Sequence, residues 1–113
     1  MVQNRNKLIE LFIGNLSNSI VHQILEKAVG KEFMADRYRK ELINSFELAK
    51  RYREKINPVN QSLHEKDVEY IRIRIIKRVR VELNLRISKG YENIDLFLVE
   101  IFVDRALKKM CVF

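Results

Sequence analysis

The stretch from residue 67 to 88 is the part of this chain that most restricts its fold, because no glycine or proline interrupts it. From Ile71 to Ile87 apolar and polar residues alternate almost strictly, which is the period of a β-strand. The same stretch also fits a helix, because its apolar residues recur at spacings of three and four. That helical stripe comprises Val68, Ile71, Ile75, Ile76, Val79, Leu83 and Ile87.

We favour the helix for residues 63–88. Strands usually run for roughly 3–10 residues, so a strand that filled this stretch would be unusually long. Ser62 followed by Glu65 has the pattern of a capping box, which predicts that a helix begins there. The segment that follows is also helical in pattern and leaves no partner strand. The alternative is an α+β protein in which residues 70–87 form a strand.

Three further helices are predicted from apolar residues spaced by three and four. The first covers residues 5–29; Gly14 is expected to kink or split it, and Gly30 to cap its end. The second covers residues 31–56 and ends before Pro58, and its small residues Ser45 and Ala49 are expected where another helix approaches closely. The last begins near Asn93 or Asp95 and ends near residue 110.

Together these segments predict an all-α bundle of about four helices that forms a single domain over residues 1–113. The chain has only 3 glycines and 1 proline, fewer turn residues than an all-β domain needs. A single cysteine, Cys111, excludes an internal disulfide and predicts a cytoplasmic protein. The abundance of lysine, arginine and glutamate suggests a thermophilic, perhaps archaeal, source.

No pattern in the sequence predicts catalysis, a metal site or a cofactor. His22 and Glu26 have the i,i+4 spacing of a metal-binding pair, but no second pair matches them, so we interpret them as a surface pair. The glycines are isolated, which excludes a phosphate-cradling loop. We therefore expect no enzyme activity and no small-molecule substrate, and no apolar run is long enough to predict a membrane partner.

The net charge of +7 is concentrated between residues 31 and 91, and such an excess attracts polyanions. Tyr38 and Tyr52 each lie between arginines, where they could stack on unpaired bases, although both also occupy apolar helix positions. The candidate nucleic-acid-binding residues are Arg37, Arg39, Lys40, Arg51, Arg53, Arg74, Lys77, Arg78 and Arg80.

Apolar residues outside the predicted core stripes indicate a contact surface. They lie on the third helix, on the last helix and in the tail: Val81, Leu85, Phe97, Ile101, Val112 and Phe113. The sequence therefore predicts a non-catalytic interaction module that forms a homodimer through the third and last helices. The alternative is a protein that binds RNA or DNA through its arginine-rich helix faces.

Overall fold

The computed structural model describes residues 4–28, 32–57 and 61–113, and these residues contain four α-helices and no strand. The helices are α1 (Arg5–Ala28), α2 (Glu32–Ile56), α3 (Glu65–Ser88) and α4 (Leu98–Lys109). The prediction of an all-α four-helix bundle is confirmed. The strand alternative for residues 70–87 is wrong, because all of these residues belong to α3.

Side-chain contacts between helices show the direction in which each helix runs. As the residue number rises along α1, the number of its partner falls along α2 and rises along α3, so α2 is antiparallel and α3 parallel to α1. The α3–α4 contacts show that these two helices are antiparallel. The contacts are Ser19–Leu42, Glu26–Arg39, Arg5–Asp67, Glu10–Arg74, Arg72–Asp104 and Arg80–Glu100.

Helix α1 lies at the centre of the bundle, since it contacts each of the other three helices. Its apolar side chains are buried along nearly its whole length, and they meet the buried stripes of α3 and α4. The fully enclosed core residues include Phe12, Ile13, Leu16, Ile71, Ile75, Val79, Leu83, Val99, Val103 and Leu107. Helix α2 packs along α1: the Asn18 side chain of α1 contacts Ser45, as the prediction of a close approach at Ser45 requires, and Ala49 is buried.

The alternation in α3 has a structural explanation. The predicted stripe is buried from Ile71 to Leu83, whereas a second set of apolar residues lies on the outside of the helix and is 40–54% exposed. A buried apolar stripe together with apolar residues on the two flanks of the same helix produces an apparent period of two. Ile87, which we predicted in the buried stripe, belongs to the second set. That set comprises Ile73, Val81, Leu85 and Ile87.

The helix ends differ from the predictions in detail. Helix α1 continues through Gly14 without a break. Helix α3 is capped by His64, whose Nδ1 accepts a hydrogen bond from the Lys66 backbone at 3.3 Å, rather than by Ser62. Helix α4 begins only at Leu98, after a turn. The predicted cap at Gly30 and stop at Pro58 lie outside the described residues.

Candidate functional site

The exposed apolar residues of α3 fall on two different flanks of the helix. Val81 and Leu85 each lie seven residues after an arginine that contacts α1: Arg74 pairs with Glu10, and Arg78 lies beside Gly14. Residues seven apart occupy nearly the same angular position on a helix. Val81 and Leu85 therefore face the α1 side.

Ile73 and Ile87 lie on the other flank, seven residues on either side of Arg80. The Arg80 guanidinium pairs with Glu100 of α4 at 3.2 Å. This flank therefore continues onto α4, where Phe97 and Ile101 are exposed. We call the surface formed by Ile73, Ile87, Phe97 and Ile101 the outer hairpin face; these side chains are 54%, 40%, 90% and 51% exposed.

Phe97 is presented to solvent by an ordered turn. The Asp95 carboxylate accepts a hydrogen bond from the Phe97 backbone at 3.0 Å, and the Asp95 carbonyl accepts one from Leu98 at 3.2 Å. These bonds fix the first turn before α4 while Leu98 and Val99 point inward. The exposed phenyl ring is therefore a consequence of local backbone geometry.

Two half-exposed ion pairs cross the hairpin beside this face. Arg72 donates two hydrogen bonds to the Asp104 carboxylate at 2.6 and 3.1 Å, and this contact raises the pKa of Arg72. Arg80 pairs with Glu100 one turn further along. Both bridges link α3 to α4 at the surface, next to the apolar residues of the outer hairpin face.

Most of the predicted nucleic-acid-binding arginines have acidic partners within the chain. Arg39 is bonded to Glu26 at 2.7 Å and 3.0 Å, Arg37 lies 3.8 Å from Glu41, and Arg74 and Arg80 form the pairs described above. These pairs reduce the positive potential of the surface. The remaining exposed members of the set are Lys40, Arg51, Lys77 and Arg78.

Arg53 was predicted to bind nucleic acid, and that prediction is wrong because its side chain is 1% exposed. Its guanidinium donates hydrogen bonds to backbone carbonyls in two segments, the connection between α2 and α3 and the residues that follow α4. Burial lowers the pKa of Arg53, and no carboxylate contacts it among the described residues. Its acceptors are the carbonyls of Asn57, Gln61, Met110 and Cys111 and the side chain of Asn57.

The prediction that Val112 lies at an interface is also wrong, because its side chain is fully buried. Its backbone is fixed at both polar groups: its N–H donates to Leu107 at 3.0 Å, and its carbonyl accepts from Leu63 at 3.1 Å. The tail therefore returns to the core at Val112, whereas Cys111 is exposed and Phe113 is half-exposed.

His22 is buried and does not pair with Glu26 as predicted. Its Nε2 contacts the Glu41 carboxylate of α2, and its Nδ1 lies 2.8 Å from the carbonyl of Asn18. Both neighbours are hydrogen-bond acceptors, so the ring links the Asn18 backbone of α1 to the Glu41 side chain of α2. The i,i+4 spacing of His22 and Glu26 could not indicate Glu41 as the partner, because Glu41 lies on another helix.

Tyr38 packs against His22, with ring centroids 5.8 Å apart, and is buried. Burial raises the pKa of Tyr38. The pKa of Tyr91, in contrast, is lowered by hydrogen bonding with Tyr38 and with Arg86. Tyr38 is therefore a core residue and offers no open ring face for a base.

None of the known protein family models, curated proteins or solved structures that were compared matches this chain. No helix in the described part is both long enough and apolar enough to cross a bilayer. Within residues 4–28, 32–57 and 61–113, no three histidine, cysteine or acidic side chains are grouped as they would be around a metal ion.

Proposed function

We propose that this protein is a non-catalytic interaction module that forms a homodimer through the outer hairpin face. The observation that carries the proposal is Phe97, whose side chain is 90% exposed although it stands in an ordered turn. Burying a phenylalanine side chain contributes about 1.5–3 kcal/mol. An apolar surface of this kind normally marks a contact with another protein.

The charges beside the face are compatible with a second copy of this chain as the partner. Arg72 pairs with Asp104 and Arg80 with Glu100 within one chain, so these groups do not repel a second copy. A two-fold axis places the same surface of two copies face to face, so that the apolar residues of both copies are buried together.

The experiment is sedimentation equilibrium of the full chain over a wide range of protein concentration. We expect a mass of two chains, with Phe97→Ser and Ile101→Ser each weakening the dimer by about ten-fold or more. Ile43→Ser is the matched control: Ile43 is 50% exposed, as Ile101 is, but lies on α2. It should leave the dimer constant unchanged.

Val81→Ser tests which of the two flanks of α3 forms the dimer interface. Because Val81 faces the α1 side, its substitution should also leave the dimer intact, although it was among the residues first expected at the interface. A chain that remains monomeric at every concentration overturns the proposal. A dimer that Val81→Ser weakens and Phe97→Ser does not would place the interface elsewhere.

Nucleic-acid binding is the second candidate, and it depends on the exposed basic residues Lys77 and Arg78 of α3. It is less well supported than the dimer, because Arg53 and Tyr38 are buried and four of the other arginines already have acidic partners. Titration with single-stranded and double-stranded DNA and RNA at two salt concentrations tests it. Phosphate contacts must weaken as salt rises, so salt-independent or absent binding would remove this candidate.

A further inference from the structure

A small polar cavity lies between α1 and α3, on the side of α3 away from the outer hairpin face. Its volume is about 190 Å³. Helix α1 supplies small and polar residues, and α3 supplies three charged residues on successive turns. The lining residues are Gly14, Ser17, Asn18, Val21, Arg78, Glu82 and Arg86.

Ser17 is the feature of this cavity that needs an explanation. Its side chain is 2% exposed, and its hydroxyl is the buried side-chain polar group that has no hydrogen-bond partner within the described residues. Leaving a buried hydroxyl without a partner costs about 1–3 kcal/mol. Alanine would favour the helix more and avoid this cost, so an acceptor within the cavity would account for the serine.

Arg78 and Arg86 are held at the cavity by different contacts, and the Arg86 guanidinium uses part of its donor capacity on the Tyr91 hydroxyl. The Arg78 guanidinium lies 3.6 Å from where a Cβ on Gly14 would be, which places it against α1. Arg86 lies over the ring of Tyr91, 5.5 Å from its centroid. Neither arginine forms an ion pair within the described part of the chain.

The charge balance of the cavity favours an anion. Two guanidinium groups face a single carboxylate, that of Glu82, so the lining keeps a net positive charge. Arginine presents planar N–H donors that match the oxygens of phosphate, and a serine hydroxyl adds a further donor from the opposite helix. Donors from two sides suit a tetrahedral group better than a planar carboxylate.

We propose that this cavity binds a phosphate group with two negative charges, either as inorganic phosphate or at the end of a phosphomonoester. A small, partly open cavity between two helices accepts a terminal phosphate, and the unpartnered hydroxyl of Ser17 lies at its inner wall. The site is separate from the outer hairpin face and does not depend on the dimer.

The test is a titration of the full chain, followed by amide nuclear magnetic resonance, with chloride exchanged for phosphate at constant ionic strength. A second arm uses phosphoserine as a small phosphomonoester, which distinguishes the two sources of the group. We expect saturable shifts at the amides of Ser17 and Asn18 and at the side-chain N–H groups of Arg78 and Arg86. A third arm uses a short single-stranded DNA.

Four variants distinguish a specific phosphate site from the general electrostatic attraction of phosphate to a basic protein. Arg78→Gln and Arg86→Gln should each weaken phosphate binding by about ten-fold or more, and Glu82→Gln should tighten it about three-fold. Lys77→Gln, which removes the same charge from α3 outside the cavity, is the matched control and should have little effect. Thermal unfolding of each variant shows that it remains folded.

Ser17→Ala gives the sharpest result, because two measurements should move in opposite directions. Removing the unpartnered hydroxyl should raise the melting temperature in phosphate-free buffer and weaken phosphate binding by about ten-fold. Equal phosphate affinity in Ser17→Ala and in Lys77→Gln overturns the proposal, as does the absence of saturation. DNA binding that depends on these residues, without saturation by phosphate, overturns it in favour of a phosphodiester.

Discussion

The Nε of Arg53 donates a hydrogen bond to the backbone carbonyl of Met110 at 2.9 Å, across 57 positions of the chain. The same guanidinium also donates to Gln61 and to Cys111, each at 2.8 Å. One side chain of α2 therefore ties the end of α4 to the segment that precedes α3. Carbonyls at a helix end lack partners within the helix, and the buried guanidinium supplies them.

Replacing Arg53 by methionine should destabilise the protein by about 3–5 kcal/mol, because several buried carbonyls then lose their donor. Lysine should not restore stability, since a single ammonium group cannot reach acceptors in three directions. The measurement is chemical denaturation followed by circular dichroism.

Arg51→Met on the exposed side of the same helix is the control for Arg53, and it should change the free energy of unfolding by less than about 0.5 kcal/mol. Equal effects at the two positions would show that the buried hydrogen bonds do not stabilise the native state.

Gly14 and Gly90 should respond to alanine in opposite directions. A Cβ on Gly14 meets only ordinary contacts with the Arg78 guanidinium at 3.6–3.8 Å, so Gly14→Ala should stabilise α1 by about 0.5–1 kcal/mol. Gly90 has a φ of +98° after the end of α3, where a side chain is strained, so Gly90→Ala should destabilise by about 1 kcal/mol. Thermal unfolding of both variants is the measurement; a loss of stability in Gly14→Ala would contradict the contact geometry.

Apolar spacing was sufficient to predict the helices and most of the core, because burial along a helix follows a local period. The last helix illustrates this: its apolar residues recur at spacings of three and four, and Val99, Phe102, Val103 and Leu107 are buried on its inner face. Arg53 could not be predicted in the same way. Its neighbours in sequence mark it as a surface residue, and its acceptors are carbonyls that only the folded chain brings to it.

The candidate surfaces were predicted only in part for the same reason. Phe97 and Ile101 were recognised as surplus apolar residues, and both are exposed. Val112 has the same apolar character in the sequence, yet it is buried because the tail turns back onto Leu63. Ser17 gave no signal at all, since a serine in a helix is unremarkable until its hydroxyl is seen without a partner.

The contact between His22 and Glu41 should stabilise the α1–α2 packing. In a double-mutant cycle of His22→Gln and Glu41→Gln, we expect a coupling of about 1 kcal/mol, because the histidine is buried and its ring bridges two acceptors. The comparison is a second double-mutant cycle, between Arg37 and Glu41. These exposed side chains are 3.8 Å apart, so their coupling should be less than about 0.5 kcal/mol. Similar couplings in the two cycles would contradict the role of burial.

Tyr70 should make stability sensitive to high pH. Its hydroxyl donates to Glu10 of α1, and this hydrogen bond raises the pKa of Tyr70 above its ordinary value of 10.0. A raised pKa in the folded state means that the contribution is fully present below pH 10.0 and is lost as the pH rises through the folded-state value. The unfolding free energy of the native chain should therefore exceed that of Tyr70→Phe at neutral pH, and the difference should shrink above pH 10.0.

A Glu10→Ala background provides the control for Tyr70, because the acceptor is then gone. In that background Tyr70→Phe should lower the unfolding free energy by less at neutral pH. This loss should not shrink with rising pH in the same way, because Arg74 donates to the Tyr70 oxygen at 2.9 Å and favours the ionised form. The measurement is a set of denaturation curves, from neutral pH to above pH 10.0, for the native chain, Tyr70→Phe, Glu10→Ala and the double variant. A pH dependence that survives the loss of Glu10 would show that another group sets the titration of Tyr70.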